Sequence, residues 1–262
     1  MDIQEQKTEV KRHPWELARW QLVQRKLETL LNKVPHPVIA DIGAGDLFVS
    51  AQIKKTFSHR FRILAVDVHF SEEGVRNGIE MFQSIDQLTD QSVDLVLLLD
   101  ILEHIKDDQG FILKVFQKLK PDGYALISVP AMQSLYSNHD RRLGHFRRYS
   151  KKQLQATLNH KNIVVQEIHY LFSCLVIPRM MQKIFSNKKL QTTAEIADWP
   201  FQETHGLTKI IRQALVWDAV GNFILSRFKI PSFGLSLGVI CQKQASSSSP
   251  CSTKKNASKK LF

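Results

Sequence analysis

The chain has 262 residues, 43% of them hydrophobic, enough to bury one α/β core with little left for a second large domain. Three cysteines, Cys174, Cys241 and Cys251, stand at wide spacings with no CxxC pair, which excludes a zinc ribbon and fits a reduced, cytoplasmic protein. The net charge of +11 is uneven, since Arg141 to Lys189 carries eleven Lys or Arg against the single acid Glu167, and such a patch attracts phosphate, nucleic acid or a membrane surface without choosing among them, or serves only as a solvated face.

In chain order, the first twenty residues are charged throughout and lack the apolar h-region of a secretory signal. Residues 14 to 33 place Trp15, Leu17, Leu22, Leu27, Leu30 and Leu31 at spacings close to helical, so residues 1–35 are expected to form a helical extension ended by Pro35 and Pro37. VIADI at 38 to 42 reads as a buried strand, followed by Gly43, Ala44, Gly45 and Asp46 as a tight turn and then a helix. RILAVD at 62 to 67, VDLVLLLD at 93 to 100 and YALISVP at 124 to 130 are further strands, near-continuously apolar as parallel strands covered on both faces are. The helix DDQGFILKVFQKLK runs into Pro121, Asp122 and Gly123. Alternation of this kind predicts a doubly wound sheet.

Ser150 and Gln153 form a capping box for the helix KKQLQATL, and IVVQEIHYLF reads as another strand. Residues 171 to 231 have no clean strand pattern and are expected to form an inserted helical cap, with Met180, Met181, Ile184 and Phe185 in one segment and Ile210, Ile211, Leu215, Val216, Phe223 and Ile224 in another. LSLGVICQK restores a strand within 232–243, and residues 244–262, rich in Ser and Lys, are expected to be a disordered basic tail. The run YLFSCLVI is far short of the roughly 20 residues that span a bilayer, so no transmembrane segment is expected.

In a doubly wound sheet ligands bind outside the carboxyl ends of the strands. Gly43 and Gly45 allow close backbone approach to a ligand, and the helix behind them offers free N–H groups to an anionic group. Asp67 closes the second strand, 22 residues after Gly45, where an acid accepts hydrogen bonds from ribose hydroxyls. Ser84, Ile85 and Asp86 follow a third strand and are placed to flank a base. Asp100 begins DILEHI, so Asp100, Glu103 and His104 should border the pocket. Phe48 stands where a dinucleotide fingerprint has its third small residue, which argues against NAD or FAD.

With DIGAGD, Asp67, DLVLLLDILEH and LKPDGYALISVP in this order, residues 36–170 resemble the class I S-adenosylmethionine-dependent methyltransferases, and in particular the branch with an LEH turn that includes enzymes acting on quinone precursors. The segment VPAMQSLYSNHDRRLGHFRRYS resembles the VPA, HD and GHxRRY pattern of bacterial members often encoded beside glycosyltransferases. The resemblance implies a Rossmann-like sheet of seven strands with the last antiparallel, and S-adenosyl-L-methionine as cofactor. It also implies that Asp41, Gly43 and Gly45 form the cofactor loop, that Asp67 holds the ribose and that Asp100 faces the methionine end. Leu47 departs from it, standing where many relatives have glycine.

Methyl transfer to oxygen needs a base as well as alignment. His145 and His139 are the candidates, His145 first, with Asp140 able to orient an imidazole. Arg147 and Arg148 are placed to clamp an acceptor phosphate or carboxylate, with Tyr149 beside them as a substrate contact, or else His145 and Tyr149 brace the loop before the capped helix and at least one of the arginines only faces solvent. One His–Asp pair without further spaced ligands does not make a metal site, so none is expected. The expected partner is a small-molecule or lipid-linked acceptor, with peripheral membrane contact through the cap. A nucleic-acid-associated enzyme and a non-catalytic protein of the same fold stay open as alternatives, although no RNA-binding module is evident.

Overall fold

The computed structural model describes residues 12–32, 34–57, 61–186 and 201–245. The expected basic tail lies outside them apart from its first two residues, as do the side chains of Ile184 and Phe185. The elements run α1 (Pro14–Leu30), β1 (Val38–Ile42), α2 (Phe48–Phe57), β2 (Arg62–Val66), β3 (Gly74–Arg76), β4 (Ile79–Phe82), β5 (Val93–Leu99), α3 (Asp108–Lys118), β6 (Leu119–Pro130), α4 (Asn138–Arg142), α5 (Lys151–Thr157), β7 (Ile163–Leu171), α6 (Val176–Ser186), α7 (Gly206–Arg227) and β8 (Ser236–Lys243). Pro14 at the first turn of α1 and the His13 ring, which accepts from the Trp15 N–H, start that helix. The Ser150–Gln153 capping box starts α5.

One sheet has the order β3-β4-β2-β1-β5-β6-β8-β7. Strands β4, β2, β1, β5 and β6 are parallel, and β8 enters antiparallel between β6 and β7. The sheet therefore has eight strands rather than seven. The addition is the three-residue β3, folded back on β4 through Asn77 and Gly78, both at positive φ. Asn-Gly is the dipeptide that a tight hairpin turn favours, so the extra strand has a local cause. Two other boundaries move: α1 stops at Leu30, and β6 begins at Leu119, ahead of the Pro-Asp-Gly turn.

Two apolar layers sandwich the sheet. On one face α1 and α2 contribute Trp20, Val23, Leu27 and Ile53 against Ile39, Ile63, Leu95 and Leu97. On the other, α3 and α5 bring Ile112, Val115, Phe116 and Leu154 against Ala40, Val96, Leu98 and Ile127. Strands buried on both faces need no polar alternation, which is why they read as continuous apolar runs. A third cluster joins Ala18 of α1 to Leu171, Phe172, Leu215, Val216 and Ala219, so α7 packs on α1 and β7. Among the described residues no helix is long and apolar enough to cross a membrane.

Leu27 is fully buried between α1 and the sheet. Truncation there removes apolar contacts and leaves a cavity, at a cost of about 2–5 kcal/mol. Leu27→Ala is expected to lower the denaturant midpoint with an unchanged m-value, as followed by circular dichroism.

Candidate active site

Strand β1 delivers Asp41 and the turn Gly43–Ala44–Gly45 to the carboxyl edge of the sheet. Gly43 (φ +74°) and Gly45 (φ +51°) both have left-handed backbone. A Cβ on Gly43 would fall 1.9 Å from Ile101 Cδ1, whereas nothing lies within 4 Å of one on Gly45, where the turn faces open space. The Gly43 and Ala44 N–H groups donate to Val66 O, and the Gly45 N–H donates to Asp67 Oδ2 at 2.8 Å. Asp67 Oδ1 accepts from the His69 N–H. Each carboxylate oxygen keeps further lone-pair capacity for a ligand hydroxyl. Leu47 also has left-handed backbone (φ +65°), the conformation that makes glycine favourable there and costs a side chain about 1–2 kcal/mol.

Asp41 is buried at 3% exposure and accepts from Ser50 Oγ at 2.7 Å. Burial pushes its carboxyl up to about 6, with the Ser50 hydrogen bond and the Arg19 charge working against the rise.

At the end of β5, Asp100 has positive φ and accepts from Ser128 Oγ at 3.0 Å while pairing with Arg19 of α1. The next turn buries Glu103 completely, and neither carboxyl oxygen has a hydrogen-bond partner among the described residues. Burial, with the neighbouring Asp100 charge, pushes its carboxyl up to about 9, so Glu103 is protonated at neutral pH. Phe146 donates its N–H to Glu103 O and so brings the segment after β6 onto this turn. The His104 and His145 rings meet edge to face at 4.6 Å. Ligand-type atoms of Glu103, His104 and His145 lie within 4.8 Å of one another. That is close enough to share a metal ion once Glu103 loses the proton that burial holds on it. The lone His–Asp pair of the sequence did not disclose this trio, because Glu103 and His104 arrive from another strand end.

Asp140 is fully buried. It accepts from His145 Nδ1 at 3.1 Å, from Arg148 Nε at 2.8 Å and from the Ser137 N–H at 3.0 Å, and Arg179 of α6 approaches within 3.5 Å. Burial disfavours its charge, but the His145 hydrogen bond and the Arg148 guanidinium outweigh that and hold the carboxyl well below the usual carboxylate range. With Nδ1 directed at Asp140, Nε2 of His145 is the atom left to take a proton.

The other expected residues sit as follows. His139 lies one residue from Asp140 on α4, its imidazole pKa lowered by burial and by Arg179. Arg147 bridges to Asp108 at 3.0 Å and to Lys106 O. Arg148 is buried on Asp140 and Ala131 O. The Tyr149 hydroxyl, also buried, donates to Asp108 Oδ2 at 2.7 Å. The arginine clamp and its tyrosine thus have their polar groups engaged by the protein itself. Ser84 caps a short 3-10 turn at Ile85–Gln87 after β4.

Sequence reasoning passed over α1 as a contributor. Arg12 pairs with Asp46 and lies over the Phe48 ring, Arg19 pairs with Asp100, and Lys26 pairs with Glu167 at 2.7 Å. The seven-residue spacing of Arg19 and Lys26 was the available signal, since it sets both cations on one face of α1, with Arg12 just ahead of the helix.

A family model described as "Methyltransferase domain" matches residues 16–198. Curated relatives include the ubiquinone biosynthesis O-methyltransferase of Rickettsia conorii, 28% identical over 118 residues, or 40% of this chain and 39% of that protein. The Rickettsia canadensis protein of the same name is 28% identical over 122 residues, or 42% of this chain and 50% of that protein. The match thus spans half or less of these relatives' length. Among solved structures, a putative sarcosine dimethylglycine methyltransferase from Galdieria sulphuraria superposes with TM-score 0.54 at 12% identity, covering 88% of this chain and 86% of that one. The [4+2]-cyclase SpnF superposes with TM-score 0.54 at 12% identity, covering 91% and 85%. At such identities the likeness is one of fold, and fold alone does not decide the reaction.

The buried Asp41 carboxyl gives a pH prediction. Its folded pKa of about 6 exceeds the ordinary 3.8, so between these values the folded protein binds more protons than the unfolded chain. Stability should be highest below the lower value, fall as pH rises through the window, and level off about 3 kcal/mol lower. Asp41→Asn is expected to flatten that part of the stability-pH curve in urea titrations between pH 4 and 7.

Proposed function

The chain belongs to the methyltransferase-domain family; we propose that it is an S-adenosylmethionine-dependent methyltransferase that methylates an oxygen of a small-molecule or lipid- or glycan-linked acceptor, with His145 as the base. The observation that carries this reading is the Asp140–His145 pair, held at the carboxyl edge of the sheet beside the unpartnered Glu103 carboxyl. The O-methyltransferase names of the curated relatives support oxygen as the acceptor atom.

The residues present fit the cofactor. The open face of Gly45 gives it room for close approach, and Asp67 retains acceptor capacity at the end of β2 for the two ribose hydroxyls. Asp41 and Gly43 shape the same loop, Asp100 borders the methionine end, and Ser84 and its turn lie at the adenine side. When bound, the cofactor supplies a methyl group on a sulfonium that is already an activated leaving group.

The protein then has two tasks. It must align the acceptor oxygen in line with the methyl carbon and sulfur, and such positioning supplies several kcal/mol. It must also take the acceptor's proton. In this proposal His145 Nε2 takes it, and the buried Asp140 carboxylate stabilises the imidazolium that forms. Arg148, on the same carboxylate, and Tyr149, on Asp108, act as positioning residues for the loop that carries His145.

Peripheral contact with a membrane belongs to the same reading. Helix α7 exposes Ile210, Trp217, Ile224 and Phe228 along one face, with Lys209, Arg227 and Lys229 near them. An apolar stripe edged by cations suits an anionic lipid surface.

Two substitutions test the assignment. Asp67→Ala should weaken S-adenosylmethionine binding at least tenfold by calorimetry while the thermal midpoint stays put; unchanged affinity would displace the cofactor from this crevice. His145→Ala should lower kcat by about 10²–10⁴ with cofactor affinity retained, and a parallel fall in stability with full residual kcat would make the histidine a brace only.

A further inference from the structure

Between α1, α7 and the face of β5, β6, β8 and β7 lies a cavity of about 370 Å³. Its walls are mainly apolar, with Leu22, Leu99, Leu126, Leu171, Val220 and Phe223 among them. Protein interiors pack without voids of this size, and apolar walls give water few partners. The volume falls in the range of ligand pockets.

Part of the opening comes from Gly238 in β8. A Cβ there would project to 3.2 Å from Leu171 Cδ1 and 3.6 Å from His169 Nε2, into the cavity wall. His169 is a polar residue within that wall, apart from the polar side chains at the two ends. Its Nδ1 is buried without a hydrogen-bond partner, and burial pushes the imidazole down to about 4, so the ring is neutral and its edge rests on Phe223.

The two ends of the cavity differ. At one, Arg19 and Ser128 line it, and these are the two side chains that hold Asp100 at the edge of the cofactor crevice. At the other, Arg25 and Thr29 are exposed to solvent. Arg19 and Thr29 are ten residues apart on α1, or about 15 Å along the helix axis. The space is therefore elongated, bordered at one end by the side chains that hold Asp100 and by exposed residues at the other.

We infer that this cavity holds the hydrocarbon chain of an amphiphilic acceptor, whose reacting end lies beside Arg19 and Ser128 and whose chain runs between α1 and α7 toward Thr29. The inference rests on the methyl-transfer reading above and adds to it the class of acceptor. A length of about 15 Å suits a flexible acyl or isoprenoid chain rather than a compact metabolite. His169 Nδ1 offers a single hydrogen bond to a polar group near the chain's head, Arg19, Arg25, Lys26, Thr29 and Ser128 supply the other polar groups of the lining, and the rest of the wall contributes apolar contact.

The test titrates the full chain with the fluorescent fatty acid 11-(dansylamino)undecanoic acid, below its aggregation concentration, and measures S-adenosylmethionine affinity by calorimetry on the same samples. Wild-type protein should bind the probe saturably at one site. Gly238→Leu fills the cavity from the sheet and Val220→Trp fills it from α7. Each should weaken probe binding at least tenfold with cofactor affinity unchanged, and the second variant keeps the test open if the first does not fold. In the source extract with methyl-labelled cofactor, label recovered in organic solvent should fall by the same factor. Probe binding that is absent in wild type, or equal in wild type and both variants, overturns the inference while intact cofactor binding leaves the methyltransferase assignment standing. Loss of cofactor binding in wild type would instead strike at that assignment. Presenting the probe from phosphatidylcholine vesicles distinguishes a bilayer source from a dissolved one, with the ratio of wild type to variant deciding in both cases.

Discussion

The molecule is organised by the divergence of the chain on either side of β1. Strand β2 pairs with one edge of β1 and β5 with the other, and the helices that follow β1 and β5 go to opposite faces of the sheet, α2 to one and α3 to the other. The two connecting loops must therefore part at the carboxyl edge. The crevice between them follows from right-handed crossover connections rather than from any particular side chain. Gly43, Gly45, Asp67 and Asp100 stand where that crevice opens.

Two buried carboxyl groups near the crevice show how burial sorts charge. Asp140 has His145, Arg148, Arg179 and the Ser137 amide around it and stays ionised. Glu103 has no such partner, sits beside Asp100 and holds its proton. One group can anchor and polarise an imidazole, and the other can present a neutral carboxyl to an incoming molecule. Their environments, set by different strand ends, separate their properties more than the difference between Asp and Glu does.

Helix α1 contributes more than a lid on the core. Its apolar face closes one side of the sheet, while its Arg19 and Lys26 reach Asp100 and β7, and Arg12, just ahead of its first turn, pairs with Asp46 after the glycine loop. Helices α1 and α7 pack together through Ala18, Leu215, Val216 and Ala219, and the elongated cavity lies between them and the sheet. The same helix thus borders both the crevice and the cavity, and Arg19 belongs to both.

The sequence by itself determined the sheet. Continuous apolar runs, the Gly43–Gly45 turn, and the capping box at Ser150 are local signals that hold in any tertiary context, and β1, β2, β5, β7 and β8 fall where those signals place them to within a residue or two. The Asn77–Gly78 hairpin has an equally local signal, which the seven-strand expectation passed over. Only the tertiary structure decided which polar groups meet. That Arg148 and Tyr149 brace the loop, that Arg19 reaches Asp100, that Glu103 lies buried against two histidines and that Gly238 opens a cavity onto His169 all depend on contacts between residues far apart in the chain. Burial and pairing set the charge and reach of a polar side chain, and neither is a property of its neighbours in sequence.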